Sequence, residues 1–82
     1  MKITILGLSK SITQQELLAL FEPFGTVESC ALVMDPITKT SKGFGFVEMP
    51  NKDEASTAIT ALNKKKIHGE RIRVKFAMDE KS

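Results

Sequence analysis

One cysteine and one histidine in 82 residues leave little material for metal or disulfide chemistry. Cys30 has no second thiol to pair with, and Cys30 and His68 together fall short of the cluster that a zinc site needs. Cys30 also falls inside an apolar strand pattern with no base nearby, so it reads as a small buried hydrophobe. Long apolar runs are missing too. No stretch approaches the ~20 residues needed to span a bilayer, and the apolar segment Ile3 to Leu8 behind Met1-Lys2 is too short for a secretory leader. We therefore expect an intracellular, cytoplasmic chain without membrane association. Repeats, linkers and low-complexity tracts are absent. There is no arginine before Arg71, hence none in Gly7-Leu8-Ser9-Lys10-Ser11 to cradle a phosphoryl group, and no carboxylate pair or nucleophile with a base. We expect no catalysis and no cofactor.

What remains is a soluble composition, 41% hydrophobic and 27% charged. A chain of this size makes one small domain that buries roughly 60–65% of its unfolded surface. The net charge is only +2, but its distribution is uneven. Lys64, Lys65, Lys66, Arg71, Arg73 and Lys75, half of the 12 basic residues, crowd between positions 64 and 75, where Glu70 is the sole acid. A lysine run such as Lys64 to Lys66 taken alone is ordinary solvated surface.

The elements follow from local signals. Lys2 to Leu6 is β-rich and stops at Gly7. Thr13-Gln14-Gln15-Glu16 has the form of a capping box, and Leu17, Leu20 and Phe21 follow at helical spacing, so a helix is predicted from about Gln14 to Glu22. Pro23 and Gly25 close it, with Phe24 turned back to the core. Val27 to Met34 reads as a second strand, with Cys30 and Leu32 inward and Ala31 and Val33 outward. A turn-rich stretch from Asp35 to Ser41 leads to a third strand, Lys42 to Met49. Asn51 caps a second helix, with Glu54 three residues on and Ala55, Ala58, Ile59 and Leu62 as its buried stripe. A loop through Gly69, with His68 read as a solvated loop residue, reaches a last strand from about Arg71 to Phe76. There Ile72 and Val74 face the core, leaving Arg71, Arg73 and Lys75 on the opposite side. The predicted domain is 1–77, with 78–82 a short frayed tail.

This βαββαβ order predicts an α+β, ferredoxin-like sandwich, a four-stranded antiparallel sheet with both helices on one face. The other face stays open. With the helix-bearing strands in the centre, the first and third strands are neighbours, and Thr4, Leu6, Phe44 and Phe46 meet in the middle of the open face. The third strand is the most informative stretch. Its period of two puts Lys42, Phe44, Phe46 and Glu48 on one side and Gly43, Gly45, Val47 and Met49 on the other. The small and aliphatic set belongs to the core, which leaves two phenyl rings and a lysine on an exposed surface. Such a surface suits base stacking with a cation placed for phosphate.

Lys42-Gly43-Phe44-Gly45-Phe46-Val47-Glu48-Met49 resembles the octapeptide signature of the RNA recognition motif and departs from it only at Met49, where Phe or Tyr is usual. From average residue frequencies, a match to the first six positions arises by chance on the order of a few times in a hundred thousand in a chain this long. Ile3-Thr4-Ile5-Leu6-Gly7-Leu8 stands where that family has its hexapeptide, with Thr4 in place of the usual aromatic and Gly7 in place of a frequent asparagine. Asp35 to Thr38 and Gly69 to Val74 are similar to the family's loop and last strand, and the brevity of the chain resembles small single-domain bacterial members. The resemblance implies a monomer that binds single-stranded RNA, with single-stranded DNA as a further ligand. Carried over by position, Phe44 and Phe46 would stack, Lys42 would pair with phosphate, Arg73 and Lys75 would reach phosphate or bases, Leu6 and Val33 would add apolar contact without base-edge readout, Thr4 would stand at a stacking site that lacks its ring, and Lys2 and Arg71 would lie towards strand ends. Glu48, on the same face, is the wrong sign for phosphate and is expected to pair with a neighbouring cation, or else to accept from a base amino group.

A protein-binding module using the sheet or the helices is the rival reading, kept open by Thr4 and the small net charge. An acylphosphatase-like hydrolase is a more distant one.

Overall fold

A computed structural model describes residues 1–77, and the expected tail, 78–82, lies outside the described residues. The chain runs β1 (Lys2–Leu6), α1 (Gln14–Phe21), a 3-10 turn (Glu22–Phe24), β2 (Ser29–Met34), β3 (Ser41–Glu48), α2 (Lys52–Leu62), β4 (Lys66–Ile67), β5 (Glu70–Arg71) and β6 (Arg73–Phe76). β2, β3, β1 and β6 form the antiparallel four-stranded sheet in that order, so β1 and β3 are central as the sequence pattern predicts. None of the described helices is long and apolar enough to cross a membrane.

Both helices start where their caps dictate. Thr13 accepts the amide of Glu16 at 3.1 Å while the Glu16 Oε1 accepts the amide of Thr13 at 3.0 Å, which completes the capping box. At α2, Asn51 Oδ1 accepts the amide of Glu54 at 3.0 Å. The alternating residues Ile3 and Ile5 of β1, Val47 of β3 and Met49 just beyond it, and Ile72 and Val74 are buried beneath Leu17 and Phe21 of α1 and Ala55, Ala58 and Leu62 of α2. Each large aliphatic or aromatic side chain buried here contributes about 1.5–3 kcal/mol of transfer free energy. Leu8 and Ile12, which the sequence pattern did not single out, join this core from the β1–α1 connection. Gly45 is buried with no room for a side chain: a Cβ there would lie 2.7 Å from the Ala31 carbonyl oxygen of β2 and 3.0 Å from Leu17 Cδ2 of α1.

Two features differ from expectation. The last strand is not continuous. Arg71 pairs with Lys66, and Ile67 with Glu70, in a separate two-stranded hairpin. Ile72 then exchanges backbone hydrogen bonds with Lys64 and Lys65 instead of with β1. The hairpin closes through His68 and Gly69, both with positive φ (53° and 82°), which is the conformation of a two-residue turn matched to strand twist. His68 is therefore not merely solvated: its Nε2 lies 3.1 Å from Glu16 Oε2, so the hairpin is fastened to the first turn of α1.

Glu16 serves the capping box with one oxygen and the hairpin with the other. The Thr13 amide first, and then His68, hold its carboxyl below the usual carboxylate range. A depressed folded-state pKa contributes stability that is present above the unfolded value and is lost as pH falls through the folded one. In thermal melts from pH 7 downwards, the advantage of wild type over Glu16→Gln should therefore persist to about pH 5 and shrink below about pH 4.5. Parallel curves over the whole range would mean that the carboxylate is not coupled to folding.

Candidate nucleic-acid interface

The register of β1 between β3 and β6 builds the open face row by row. Thr4 sits between Phe46 and Lys75, and Leu6 between Phe44 and Arg73, while Ala31 of β2 lies on the far side of Phe46. Strands about 4.8 Å apart thus place two rings within one strand spacing of Thr4 and Leu6, and two cations one spacing beyond. The rings meet edge to face, with centroids 6.2 Å apart and planes at 84°. Phe44, Phe46, Thr4 and Leu6 are half-buried, whereas Arg73 and Lys75 are exposed.

Lys42 is also exposed, but it stands beyond an irregularity. Leu32 pairs with Gly45 and Met34 with Ser41, so the register shifts between them. Gly43, at φ 96°, takes up the shift, and the buried Ser41 hydroxyl accepts its amide at 2.9 Å. Next to Lys42 the β2–β3 turn is held by Asp35, whose Oδ1 accepts the amides of Ile37 (2.8 Å) and Thr38 (3.3 Å). Those amides, then Lys42 and Lys10, keep the Asp35 carboxyl below its ordinary range.

The structure places Lys2 more usefully than the sequence suggested. Its Nζ lies 5.4 Å from the Phe46 ring centroid, a cation–π contact on the open face. Glu48, the cross-strand partner of Lys2, was expected to pair with a nearby cation, yet among the described residues the single ion pair is His68 with Glu16. The reason is that Lys2 turns to the ring instead. Arg71 is not in the four-stranded sheet. Its carbonyl oxygen packs against the end of β1, 2.8 Å from where a Cβ on Gly7 would stand, so it borders the platform and is not part of it. Val33 is half-buried on the edge strand. Cys30, as expected, packs against the core, and burial pushes its thiol up.

An open four-stranded sheet with paired rings on its central strand β3 and two helices behind it defines a class. The chain belongs to the RNA recognition motif family, whose pattern matches residues 3–73. It is 49% identical over 61 residues to the protein elav of Drosophila melanogaster, a match that takes in 74% of this chain and 13% of that protein. It is 35% identical over 71 residues to an RNA-binding protein of Schizosaccharomyces pombe, covering 87% of this chain and 24% of the other. The chain thus spans well under a third of the curated relatives named here, which are eukaryotic and lend the bacterial-type likeness no support. Among solved structures, the RNA-binding protein PG1 superposes with a TM-score of 0.89 at 32% identity over 100% of this chain and 99% of that one. A Sex-lethal protein–RNA complex gives 0.89 at 28% identity over 98% and 48%.

The half-buried rings and the buried Val47 alternate on one strand, which makes a direct comparison possible. Phe44→Ala and Phe46→Ala should each lower stability in urea titrations by no more than about 1 kcal/mol, whereas Val47→Ala, which opens a core cavity, should cost about 1–3 kcal/mol. Phenylalanine variants as damaged as the core variant would assign the rings to the interior.

Proposed function

We propose that this protein binds single-stranded RNA across the open face of its sheet, without catalysis. The observation that carries the reading is the central quartet: Phe44 and Phe46 side by side on β3, with Thr4 and Leu6 beside them and Arg73 and Lys75 flanking on β6. Membership of the family supports it, as does the likeness to a solved protein–RNA complex. In this reading one base stacks on Phe46 and displaces the Lys2 ammonium towards its phosphate, while a second base or a sugar lies against Phe44. Arg73, Lys75 and Lys42 meet phosphates, and Arg71 lies at the margin. Glu48, with no cation paired to it among the described residues, accepts from the amino group of a base on Phe46. The ligand has to be single-stranded, because a base in a duplex cannot lie flat on the sheet. Single-stranded DNA is a second ligand on the same surface.

Titration with a short single-stranded RNA at several salt concentrations tests this directly. Affinity should fall with a log–log slope corresponding to about two to four phosphates at roughly 0.7 each, and Phe44→Ala or Phe46→Ala should each weaken binding by ~1–3 kcal/mol. A flat salt response would remove the phosphate contacts from the account.

Thr4 supplies the sharper geometric test. It lies between Phe46 and Lys75 on a strand position that tolerates aromatics. Thr4→Phe should add a third ring and tighten RNA binding by up to ~1–3 kcal/mol with little change in melting temperature. Unchanged RNA affinity in a well-folded Thr4→Phe protein would favour a protein partner on this face.

A further inference from the structure

The two outer edges of the four-stranded sheet are finished differently. On the β6 side, Asn63 Oδ1 accepts the amide of Val74 at 3.1 Å, and Ile72 is bonded to Lys64 and Lys65 at 2.7 and 3.0 Å, so the chain that follows α2 closes that side. On the β2 side the described residues provide no such cover. Among the described residues, no group outside β3 hydrogen-bonds to the backbone of Ser29–Met34. Open edges are usually blunted with lysine, proline or inward charge. Ser29-Cys30-Ala31-Leu32-Val33-Met34 carries none of these, and its one irregularity is the register shift opposite Gly43.

Beside this edge, on its helix-facing side, lies a cleft of about 410 Å³ between β2, the N-terminal end of α1 and the β2–β3 turn. Ile12, Leu32 and Met34 give it an apolar lining, and Lys10 and Lys39 stand exposed at it. Met34 is 45% exposed, too much for a side chain whose strand parity matches that of the buried Leu32. Among the described residues, no carboxylate lines the cleft. Asp35, close by in the chain, has its Oδ1 engaged by the amides of Ile37 and Thr38 and lies within the electrostatic reach of Lys10, but it is not part of the lining. The two lysines therefore face a largely apolar hollow with no acidic group among the described residues of its lining.

We propose that the β2 edge and this cleft receive an extended, acidic peptide segment of another protein. The peptide adds a strand alongside Ser29–Met34, seats one apolar side chain against Ile12, Leu32 and Met34, and sets its carboxylates towards Lys10 and Lys39. Strand addition supplies main-chain hydrogen bonds that only a polypeptide can complete, and the neighbouring pocket reads alternate side chains. Nucleic acid suits the place poorly, because no aromatic ring lines the cleft and a base would have nothing to stack on. This site lies off the open face and stands whether or not RNA binds there.

The probe is a short fluorescein-labelled peptide of alternating valine and glutamate, with a valine–lysine peptide as its counterpart. Anisotropy titrations should show binding of the acidic peptide only, and the double variant Lys10→Glu/Lys39→Glu should weaken it roughly tenfold or more. Amide exchange should slow selectively in residues 29–34 when the peptide is bound, and a saturating short oligouridine should leave the peptide affinity unchanged. The proposal is overturned if the acidic peptide fails to bind at millimolar concentration, if the basic peptide binds equally well, or if charge reversal has no effect. It is equally overturned if oligouridine displaces the peptide, if oligouridine itself shifts the resonances of Ile12, Leu32 and Met34, or if sedimentation shows the free chain dimerising with the same slowing in 29–34, which would give the edge to nucleic acid or to a second copy.

Discussion

Everything on both faces of this sheet depends on the register between β1 and β3. Ile3, its partner Val47, and Ile5 opposite Gly45 send their side chains to the helices, and in the same ladder Thr4 opposite Phe46 and Leu6 opposite Phe44 are sent outward. The side-chain period is two, so a slip of one residue would turn the rings into the core and expose the isoleucines. Burial of the aliphatic set therefore fixes the position of the aromatic set. Gly45 tightens the constraint, because only a residue without a Cβ lets the Ala31 carbonyl and Leu17 approach at that point. The rings owe their place to residues that never touch a ligand.

The parts legible in the sequence were those written in short-range or periodic code. The capping box of Thr13 and Glu16, the stripe of Ala55, Ala58 and Leu62, and the alternation from Phe44 to Val47 each involve neighbours a few positions apart, and the structure reproduces them. They give the βαββαβ order, and the strand order follows from the split-βαβ arrangement once the helix-bearing strands are set at its centre. The parts that escaped join distant positions. Arg71 to Phe76 alternates like one strand, yet Ile72 bonds to Lys64 and Lys65, and nothing in the alternation signals that the ladder breaks there. His68-Gly69 did carry a turn signal, a residue before glycine between short β-compatible runs, but with histidine where asparagine or aspartate is usual. The partnership of His68 with Glu16 spans 52 positions and has no local signature.

Electrostatics on the open face is governed by competition between partners. Lys2 and Glu48 are cross-strand neighbours, and simple charge pairing would join them. The ammonium lies over Phe46 instead. An exposed ion pair is worth about 0–1 kcal/mol, and a cation–π contact at an exposed site about 0.5–1 kcal/mol, so the choice between them is close and either partner is easily given up. A surface meant to exchange its internal contacts for those of a ligand benefits from holding them weakly. The proposed function would be compatible with the small net charge, because a few cations at the flanks of two rings would suffice if bases stack on them.

A four-stranded sheet of this kind has two faces and two edges, and the chain treats the four surfaces unequally. One face is covered by helices and one edge by the segment after α2, through Asn63, Lys64 and Lys65. The other face displays the rings. The remaining edge, β2, is left uncharged and open among the described residues, although a single lysine within Ser29–Met34 would have discouraged strand pairing at almost no cost in stability. Lysines do occur nearby, at Lys10 and Lys39, but they line the adjoining cleft, where they leave the edge accessible and select the charge of what approaches it. A cation on the strand itself would repel strands of every kind less selectively than two cations beside it, which admit an acidic strand and disfavour a basic one. That difference between a blocked edge and a charge-filtered edge is what separates protection from recognition on this side of the molecule.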